Sequence, residues 1–541
     1  MHGLVESGGL TTLQLRSRDV HTFHLCDTLT GFLIYFMLLF SPWAFGTTEP
    51  WSIWTMNACG YLLGFLLIVK LFIRSFRGYP LARGGNPDAE KPSANPMPKV
   101  DRGPADRCTC ARQLFNPVFS TRALGLCTCM ILGYCLLSAL NARATYNPSS
   151  LTFEYHAHIS WLPASLDRTS TLQAFWNLLA LACSFWAVRD WLHESSSPNQ
   201  QGDLFESPSK TYLPNRLVCL LWILSFSGGL LAVEGTMQRV LRSGKLLFLV
   251  TPAIHREPLE QFASFAYRAT AAQYFNLLWP TCLGFWWVTC RAQGRGSTKH
   301  LLLACAGIMA ACPFISAARG AAVVDLALLL IATSMLLLYL PRTLLYRTNN
   351  RPSLTVLVLL FFVGSVVLGL SLGCKQFLPR MHTLAFGFAE RERLYEFARR
   401  IAADYPLFGT GPGTFEKVFQ LYRGSSDAYW PAQLHNDWLE TRVTFGWAGS
   451  VLIAVALLIL FLTSINRRRS PSSSNALRPF LWLSLAGCLV QARWDFPLQI
   501  YSILFLAVIW CSVIFATPPG RQRRGLAATQ QGLNRVAVSR R

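Results

Sequence analysis

Charged residues are scarce in this chain, and their scarcity argues against a soluble protein. Asp, Glu, Lys and Arg together make up only 14% of the 541 residues, whereas 52% are hydrophobic. A soluble fold of this length needs a larger polar surface, so the composition predicts an integral membrane protein. We expect no separate soluble core.

Acidic residues are the scarcer of the two signs, with 27 Asp and Glu against 49 Lys and Arg and a net charge of +22. Such a balance often indicates a nucleic-acid partner. Here the basic residues lie in short blocks between apolar segments and form no continuous basic face. We therefore expect no nucleic acid, and name anionic membrane lipids and diphosphates as partners.

The spacing of Cys and Asp residues lacks the usual patterns of metal sites. Most of the 16 cysteines lie inside apolar stretches, where they behave as small hydrophobes, so we predict no structural disulfide. Cys108 and Cys110 form one close pair, but no second pair follows at zinc-ligand spacing. The predicted outer loops also lack paired Asp motifs. We predict no metal site and no cofactor.

Apolar segments of spanning or near-spanning length dominate the rest of the chain. They predict an all-α polytopic membrane protein with about 12 transmembrane helices. No short apolar run with a cleavage site precedes Leu29, so we expect the first span to be retained. The segments are Leu29–Phe45, Ser52–Ile73, Ala123–Leu140, Leu172–Val188, Leu217–Val233, Ala271–Cys290, Leu301–Ile315, Ala321–Leu340, Leu354–Leu372, Val443–Ile465, Ala476–Ala492 and Leu498–Phe515.

Lys and Arg residues are distributed unevenly between the connecting loops, and this asymmetry predicts the orientation. Loops such as Arg74–Arg122 are rich in both, whereas the turns Gly46–Trp51 and Trp494–Pro497 contain neither. The positive-inside rule then places both termini in the cytoplasm. We predict nine spans in residues 1–372, with a disordered cytoplasmic loop near 77–115, a large, partly helical loop on the outer side at 373–442, three further spans in 443–516, and a basic cytoplasmic tail at 517–541.

Segment 373–442 contains the most informative polar residues. Leu394, Phe397, Ala398 and Ile401 have the spacing of an amphipathic helix, which we expect to lie on the membrane or to cap the bundle. After Pro406, the glycine-rich loop 409–413 would allow close backbone approach to a bulky or phosphorylated group. The glycine spacing alone is a weak signal, because no βαβ unit surrounds it.

His435 and Asn436 stand where this polar segment meets the tenth apolar stretch. An imidazole titrates near neutral pH and can accept a proton from a hydroxyl group, so His435 is a candidate general base at the membrane surface. Asn436 is expected to cap the helix that follows, with substrate binding as a second role. Asp437 and Glu440 are candidate orienting partners for the ring, or merely solvated carboxylates.

The order of these residues resembles the O-antigen ligase and O-antigen polymerase family of membrane glycan transferases. The resemblance covers roughly residues 230 to 515 and includes Ser316-Ala-Ala-Arg319-Gly320. Two positions depart from the family pattern, namely Tyr395, where Trp is more common, and the Ala-Ala pair before Arg319. The resemblance is carried by Arg268, Arg319, Arg391, Tyr395, the segment Asp404–Phe415, His435, Asn436, Gly446, Gly449 and Asp495.

The resemblance implies transfer of a glycan from undecaprenyl diphosphate to an acceptor hydroxyl on the periplasmic face, in the manner of an O-antigen ligase that uses lipid A-core. His435 would be the base, while Arg391 and Arg319 would hold the diphosphate without a metal ion, and direct displacement would invert the anomeric centre. Arg268, Asn436, Tyr395, Gly411 and Glu440 are further candidates for substrate binding. We expect Asp495 to form a buried pair with an arginine.

Several alternatives remain open. Arg319 could be a snorkelling residue at a helix end, and Arg391 could pair with a glutamate on the same helix. Within the family, an O-antigen or exopolysaccharide polymerase, or a protein O-oligosaccharyltransferase, differs only in its acceptor. From another class, a membrane transporter would also have about 12 spans, but it should show matched halves with broken helices.

Overall fold

The computed structural model describes residues 17–77, 117–194, 213–291, 299–344, 351–382, 384–423, 431–466 and 474–516. Residues 78–115 of the predicted disordered loop, including Cys108 and Cys110, and the basic tail at 517–541 lie outside this range. Within it, the chain forms fourteen α-helices and one β-hairpin.

The helices are α1 (Ser17–Trp43), α2 (Pro50–Arg77), α3 (Pro117–Leu140), α4 (Arg168–Glu194), α5 (Asn215–Val240), α6 (Arg268–Arg291), α7 (Lys299–Ile315), α8 (Arg319–Leu344), α9 (Arg351–His382), α10 (Leu384–Asp404), α11 (Phe415–Val418), α12 (Asp437–Asn466), α13 (Ser474–Gln491) and α14 (Tyr501–Ala516). Short 3-10 turns lie at Phe45–Thr47, Phe419–Leu421 and Pro497–Gln499.

Each of the twelve predicted apolar segments falls on a helix, which confirms the all-α polytopic class. In the described part of the chain, eight helices are long and apolar enough to cross a membrane, namely α1 to α5, α8, α9 and α12. Apolar stretches of α7, α13 and α14 are shorter. The count of 12 membrane spans therefore stays a prediction.

Among the twelve helices that carry predicted apolar segments, the remaining one, α6, is the centre of the bundle. Every residue from Ala269 to Val288 is buried, and α5, α7, α8 and α13 pack around it. Because its neighbours separate it from the surroundings, α6 can carry polar side chains such as Gln273 and Asn276 within a long helix. This explains why it is less apolar than the helices at the periphery.

Helix α10 covers the start of α12, as its amphipathic pattern predicts. Leu394, Ala398 and Ile401 are buried in a small core that also contains Leu166 and Val443. The helix therefore caps the bundle, with its apolar face turned to protein. Before it, α9 continues to His382, beyond the predicted end of the ninth span.

A short β-hairpin is the one departure from the all-α prediction among the described residues. Strand β1 (Ala144–Asn147) pairs antiparallel with β2 (Thr152–Tyr155). The turn begins at Asn147, the last residue of β1, and continues with Pro148; the Ser149 N–H donates to the Asn147 Oδ1 at 3.1 Å, which closes an Asx turn. The turn residues favour a hairpin that the apolar periodicity alone does not reveal.

A buried cluster of charges ties α1, α2, α4 and α5 together. The Lys70 Nζ lies 2.8 Å from the Asp27 Oδ1 and 2.9 Å from the Asp190 Oδ2, and the Lys70 side chain is only 1% exposed. Arg216 pairs with Asp27, and Arg74 pairs with Asp190. Each carboxylate thus has two cationic partners, which compensates the loss of hydration.

Candidate functional site

His435 occupies the last turn before α12, and its backbone has an unusual conformation. Its φ angle is 58°, in the left-handed region that non-glycine residues rarely adopt. The Tyr395 hydroxyl donates to the His435 carbonyl at 2.8 Å, and the Leu434 N–H donates to the Glu440 carboxylate at 2.9 Å. These contacts on both sides hold a conformation that costs free energy in isolation.

Asn436 caps α12, as predicted. Its Oδ1 accepts the Leu439 N–H at 3.1 Å, which satisfies one of the free N–H groups of the first turn. The helix begins two residues after the histidine, at Asp437, so His435 is held next to the start of α12.

Asp495 is the hydrogen-bond partner of the imidazole. Its Oδ1 lies 3.0 Å from the His435 Nδ1, and the edge of the Phe496 ring meets the imidazole at 4.7 Å between centroids. A carboxylate that accepts the Nδ1 proton fixes the tautomer and leaves Nε2 with a lone pair. This contact orients the ring and is compatible with a general base that accepts a proton at Nε2.

The structure corrects two expectations from the sequence. Asp495 contacts the histidine, whereas we expected an arginine partner. Asp437 and Glu440 are buried rather than solvated, and they accept the N–H groups of Leu498 and Leu434, so both serve the backbone around the site.

Three arginines from separate helices line one cavity of about 230 Å³ next to Asp495. Arg268 and Arg319 are the first residues of α6 and α8, and Arg391 lies in α10. The Arg268 guanidinium donates to the Leu259 carbonyl at 2.7 Å, and the Arg391 guanidinium donates to the Trp494 carbonyl. Positive side chains and two helix N-termini make this first cavity suitable for an anion.

A second, larger cavity of about 820 Å³ lies on the other side of the histidine loop. Its walls are mainly apolar residues of α12 and α13, including Ile453, Leu457 and Trp482. Arg399, Arg442 and Arg493 also line it, and the Arg442 guanidinium stacks 4.3 Å from the centroid of the Trp447 ring. A groove with this combination fits a molecule that has both apolar chains and negative charge.

The candidate site residues that we predicted from the sequence lie at both cavities. Arg268, Arg319 and Arg391 meet in the first cavity, whereas Tyr395 and Asn436 line the second. His435 is not among the lining residues of either cavity and lies between them. Its partner Asp495 lines the first, and its neighbour Asn436 lines the second.

The glycine-rich loop 409–413 packs against the protein itself. A Cβ atom at Gly411 would meet the Ser165 and Thr171 hydroxyls, and one at Gly409 would meet the backbone of Gly446. The close approach that these glycines allow is thus occupied by α4 and α12. Gly411 as a substrate-binding residue stays a prediction.

Tyr395 and Asp167 show how the surroundings of this end of the molecule act on titratable groups. Burial raises the pKa of the Tyr395 hydroxyl, so it stays a hydrogen-bond donor at neutral pH. Burial acts in the same direction on Asp167, but hydrogen bonds from Ser170 and Tyr146 and the Lys417 ammonium outweigh it and lower the pKa of this carboxyl. Asp167 therefore stays charged and fixes the start of α4.

No group of three His, Cys, Asp or Glu side chains that could hold a metal ion occurs in the described residues. Likewise, every cysteine in the described ranges is a free thiol.

The fold and the site define a polytopic membrane protein with a histidine–carboxylate pair between an arginine-lined cavity and an apolar groove. The family model described as O-antigen ligase matches residues 304–454, and this match supports the resemblance of the chain to that family. The matched segment contains Arg319, Arg391, Tyr395 and His435, whereas Arg268 and Asp495 lie outside it. No curated protein and no solved structure gave a significant match. The family indicates an enzyme that transfers glycans.

Proposed function

We propose that this protein transfers a glycan from undecaprenyl diphosphate to an acceptor hydroxyl on the periplasmic face of the inner membrane, with lipid A-core as the acceptor. The observation that carries the proposal is the His435–Asp495 pair beside a cavity lined by three arginines. This arrangement provides a base and a site for a diphosphate leaving group close to each other.

In the proposed step, the acceptor hydroxyl oxygen attacks the anomeric carbon of the first sugar. The bond from that carbon to the diphosphate oxygen breaks, and its electron pair goes to the diphosphate. The hydroxyl proton moves to the His435 Nε2, and Asp495 stabilises the resulting imidazolium. A single displacement of this kind inverts the anomeric centre.

Arg268, Arg319 and Arg391 would neutralise the charge that develops on the diphosphate. Their forked guanidinium groups match pairs of phosphate oxygens and supply the positive charge that other glycosyltransferases obtain from a metal ion. We therefore propose a metal-independent reaction. A chelator should leave transfer unchanged, and loss of transfer in its presence would contradict this part of the proposal.

The second cavity would take the acceptor. Lipid A-core has acyl chains and phosphate groups, which suit the apolar walls and the arginines of this groove. A polymerase would place a second lipid-linked glycan there, and a protein glycosyltransferase would need room for a polypeptide. These two remain alternatives that differ in the acceptor, and a transporter is the alternative from another class.

The proposal is tested with purified protein in detergent, an undecaprenyl diphosphate-linked glycan donor and separate assays with each acceptor. We expect glycan transfer to lipid A-core by the wild type and loss of transfer in the His435→Ala variant. Equal transfer by wild type and variant would overturn the assignment of the base. Transfer only to a second donor molecule would identify a polymerase instead.

A further inference from the structure

Two buried amide side chains bond to each other beside the first cavity, and one of them lines it. Gln491, the last residue of α13, lines the cavity and is only 2% exposed, and Asn276 of α6 is fully buried. The Asn276 Nδ2 donates to the Ala321 carbonyl at 2.9 Å and to the Gln491 Oε1 at 3.4 Å. These two amides thus connect the lining of the first cavity with α6.

The hydrogen bonds of Asn276 determine which way the Gln491 amide faces. Only the Nδ2 of Asn276 can donate to a backbone carbonyl, so its orientation follows from the contact with Ala321. The Nδ2 group in turn requires the oxygen of Gln491 on its side. The Gln491 Nε2 must therefore lie on the other side of the amide.

That Nε2 group has no hydrogen-bond partner among the residues that the structure describes. A buried donor without an acceptor costs free energy, so most such groups in native proteins bind water or a ligand. The backbone carbonyl of Gln491 accepts the N–H groups of Trp494 and Asp495 at 3.0 and 3.1 Å. Gln491 thus connects the turn that carries Asp495 with the cavity that carries the arginines.

We infer that the Gln491 Nε2 donates a hydrogen bond to an oxygen of the donor head group in the first cavity. This inference rests on the proposed function. The arginines supply charge, whereas a neutral amide supplies direction in the lining of the cavity, where it orients the head group relative to Asp495 and His435. The accepting oxygen belongs to the diphosphate or to the first sugar, and both are hydrogen-bond acceptors.

The test is equilibrium binding of the undecaprenyl diphosphate-linked glycan, measured without any transfer step. Gln491→Met removes the donor at similar length, and we expect it to weaken binding about tenfold. Gln491→Glu replaces the donor by an oxygen and should weaken binding further. Thermal unfolding of Gln491→Met should stay close to that of the wild type, because Nε2 has no partner among the described residues and the Asn276 Nδ2 keeps its shorter hydrogen bond to the Ala321 carbonyl.

Gln273→Met is the matched control. Gln273 lies one turn before Asn276, is equally buried at 2% exposure, and has both polar side-chain atoms without partners among the described residues, but it is not among the cavity-lining residues. We expect it to bind the donor like the wild type. Equal weakening by Gln273→Met and Gln491→Met, or no weakening by either Gln491 variant, would overturn the inference.

Glycan-free undecaprenyl diphosphate identifies the accepting oxygen. If Gln491→Met weakens binding of this ligand as much as binding of the donor, the amide contacts the diphosphate; if only donor binding weakens, it contacts the sugar. A wild-type protein that binds neither ligand would instead contradict the proposed function. These results therefore distinguish a failure of the Gln491 inference from a failure of the proposed function.

Discussion

Two groups of buried or half-buried cations occupy separate parts of the molecule, and they differ in what surrounds them. In the first group, Lys70 is enclosed between Asp27 and Asp190, with two arginines outside them. The second group consists of the three arginines that line the first cavity, at the starts of α6 and α8 and within α10.

In the first cavity, three arginines share the lining with a single carboxylate, Asp495, which is already bonded to His435. In the Lys70 cluster, two carboxylates serve three cations within contact distance. Buried arginines alone therefore do not distinguish a structural ion cluster, which acts as an anchor, from a binding site. The two are distinguished by the ratio of acidic to basic side chains and by the presence of an adjacent cavity.

The largest effect is expected from His435→Ala. Removal of a general base typically lowers the rate about 10²- to 10⁴-fold, and we expect a loss of about 10³-fold in transfer. Initial rates with purified protein provide the measurement. The exposed His300 at the start of α7 offers a control, because His300→Ala should transfer like the wild type. Similar losses in both variants would indicate a general effect of histidine removal.

Lys70→Met should act on stability and leave the chemistry intact. It leaves two buried carboxylates with one cation each, and breaking such a cluster costs about 3 kcal/mol. We expect a clear drop in the thermal unfolding midpoint, with near-normal transfer by the protein that remains folded. Loss of transfer by folded Lys70→Met protein would contradict the purely structural role of the Lys70 cluster.

Arg391→Ala should show the reverse pattern. Loss of one charged group at a developing anion typically lowers the rate about 10²-fold, while the unfolding midpoint should hardly change. Arg391→Lys should recover only part of the rate, because an ammonium cannot form the forked contact. A lysine variant as active as the wild type would argue for a contact with charge alone.

The smallest effect concerns pH. Because the folded pKa of Asp167 lies below its usual value, its contribution to stability is present above that value and is lost as the pH falls through the lowered pKa. We expect the unfolding midpoint of the wild type to decrease at acidic pH more than that of Asp167→Asn. Parallel pH profiles for the two proteins would show that Asp167 does not anchor α4.

The helices and the amphipathic face of α10 could be predicted from the sequence, because apolar length and periodicity are local properties. His435 and the three arginines could be selected mainly because the order of motif residues resembles the O-antigen ligase family. The β-hairpin was missed, since its signal is the turn at Asn147 and Pro148 rather than any apolar pattern.

The contact between His435 and Asp495 could not be predicted, because 60 residues separate the two and only the packing of α12 against the turn after α13 brings them together. The second cavity depends in the same way on Arg442 and Arg493, which lie on different segments. Gly411 also has surroundings that the sequence does not reveal. A glycine selected for close approach to a ligand in fact approaches Ser165 and Thr171.

The position of Asp495 in the turn between the last two helices has a consequence for biosynthesis. During translation the histidine emerges first, and its carboxylate follows only when the final hairpin of the bundle is made. A chain released early would carry the imidazole without the group that sets its tautomer. Under the proposed function, a chain that ends before Asp495 would lack the oriented base, and we expect it to leave the lipid-linked glycan unused.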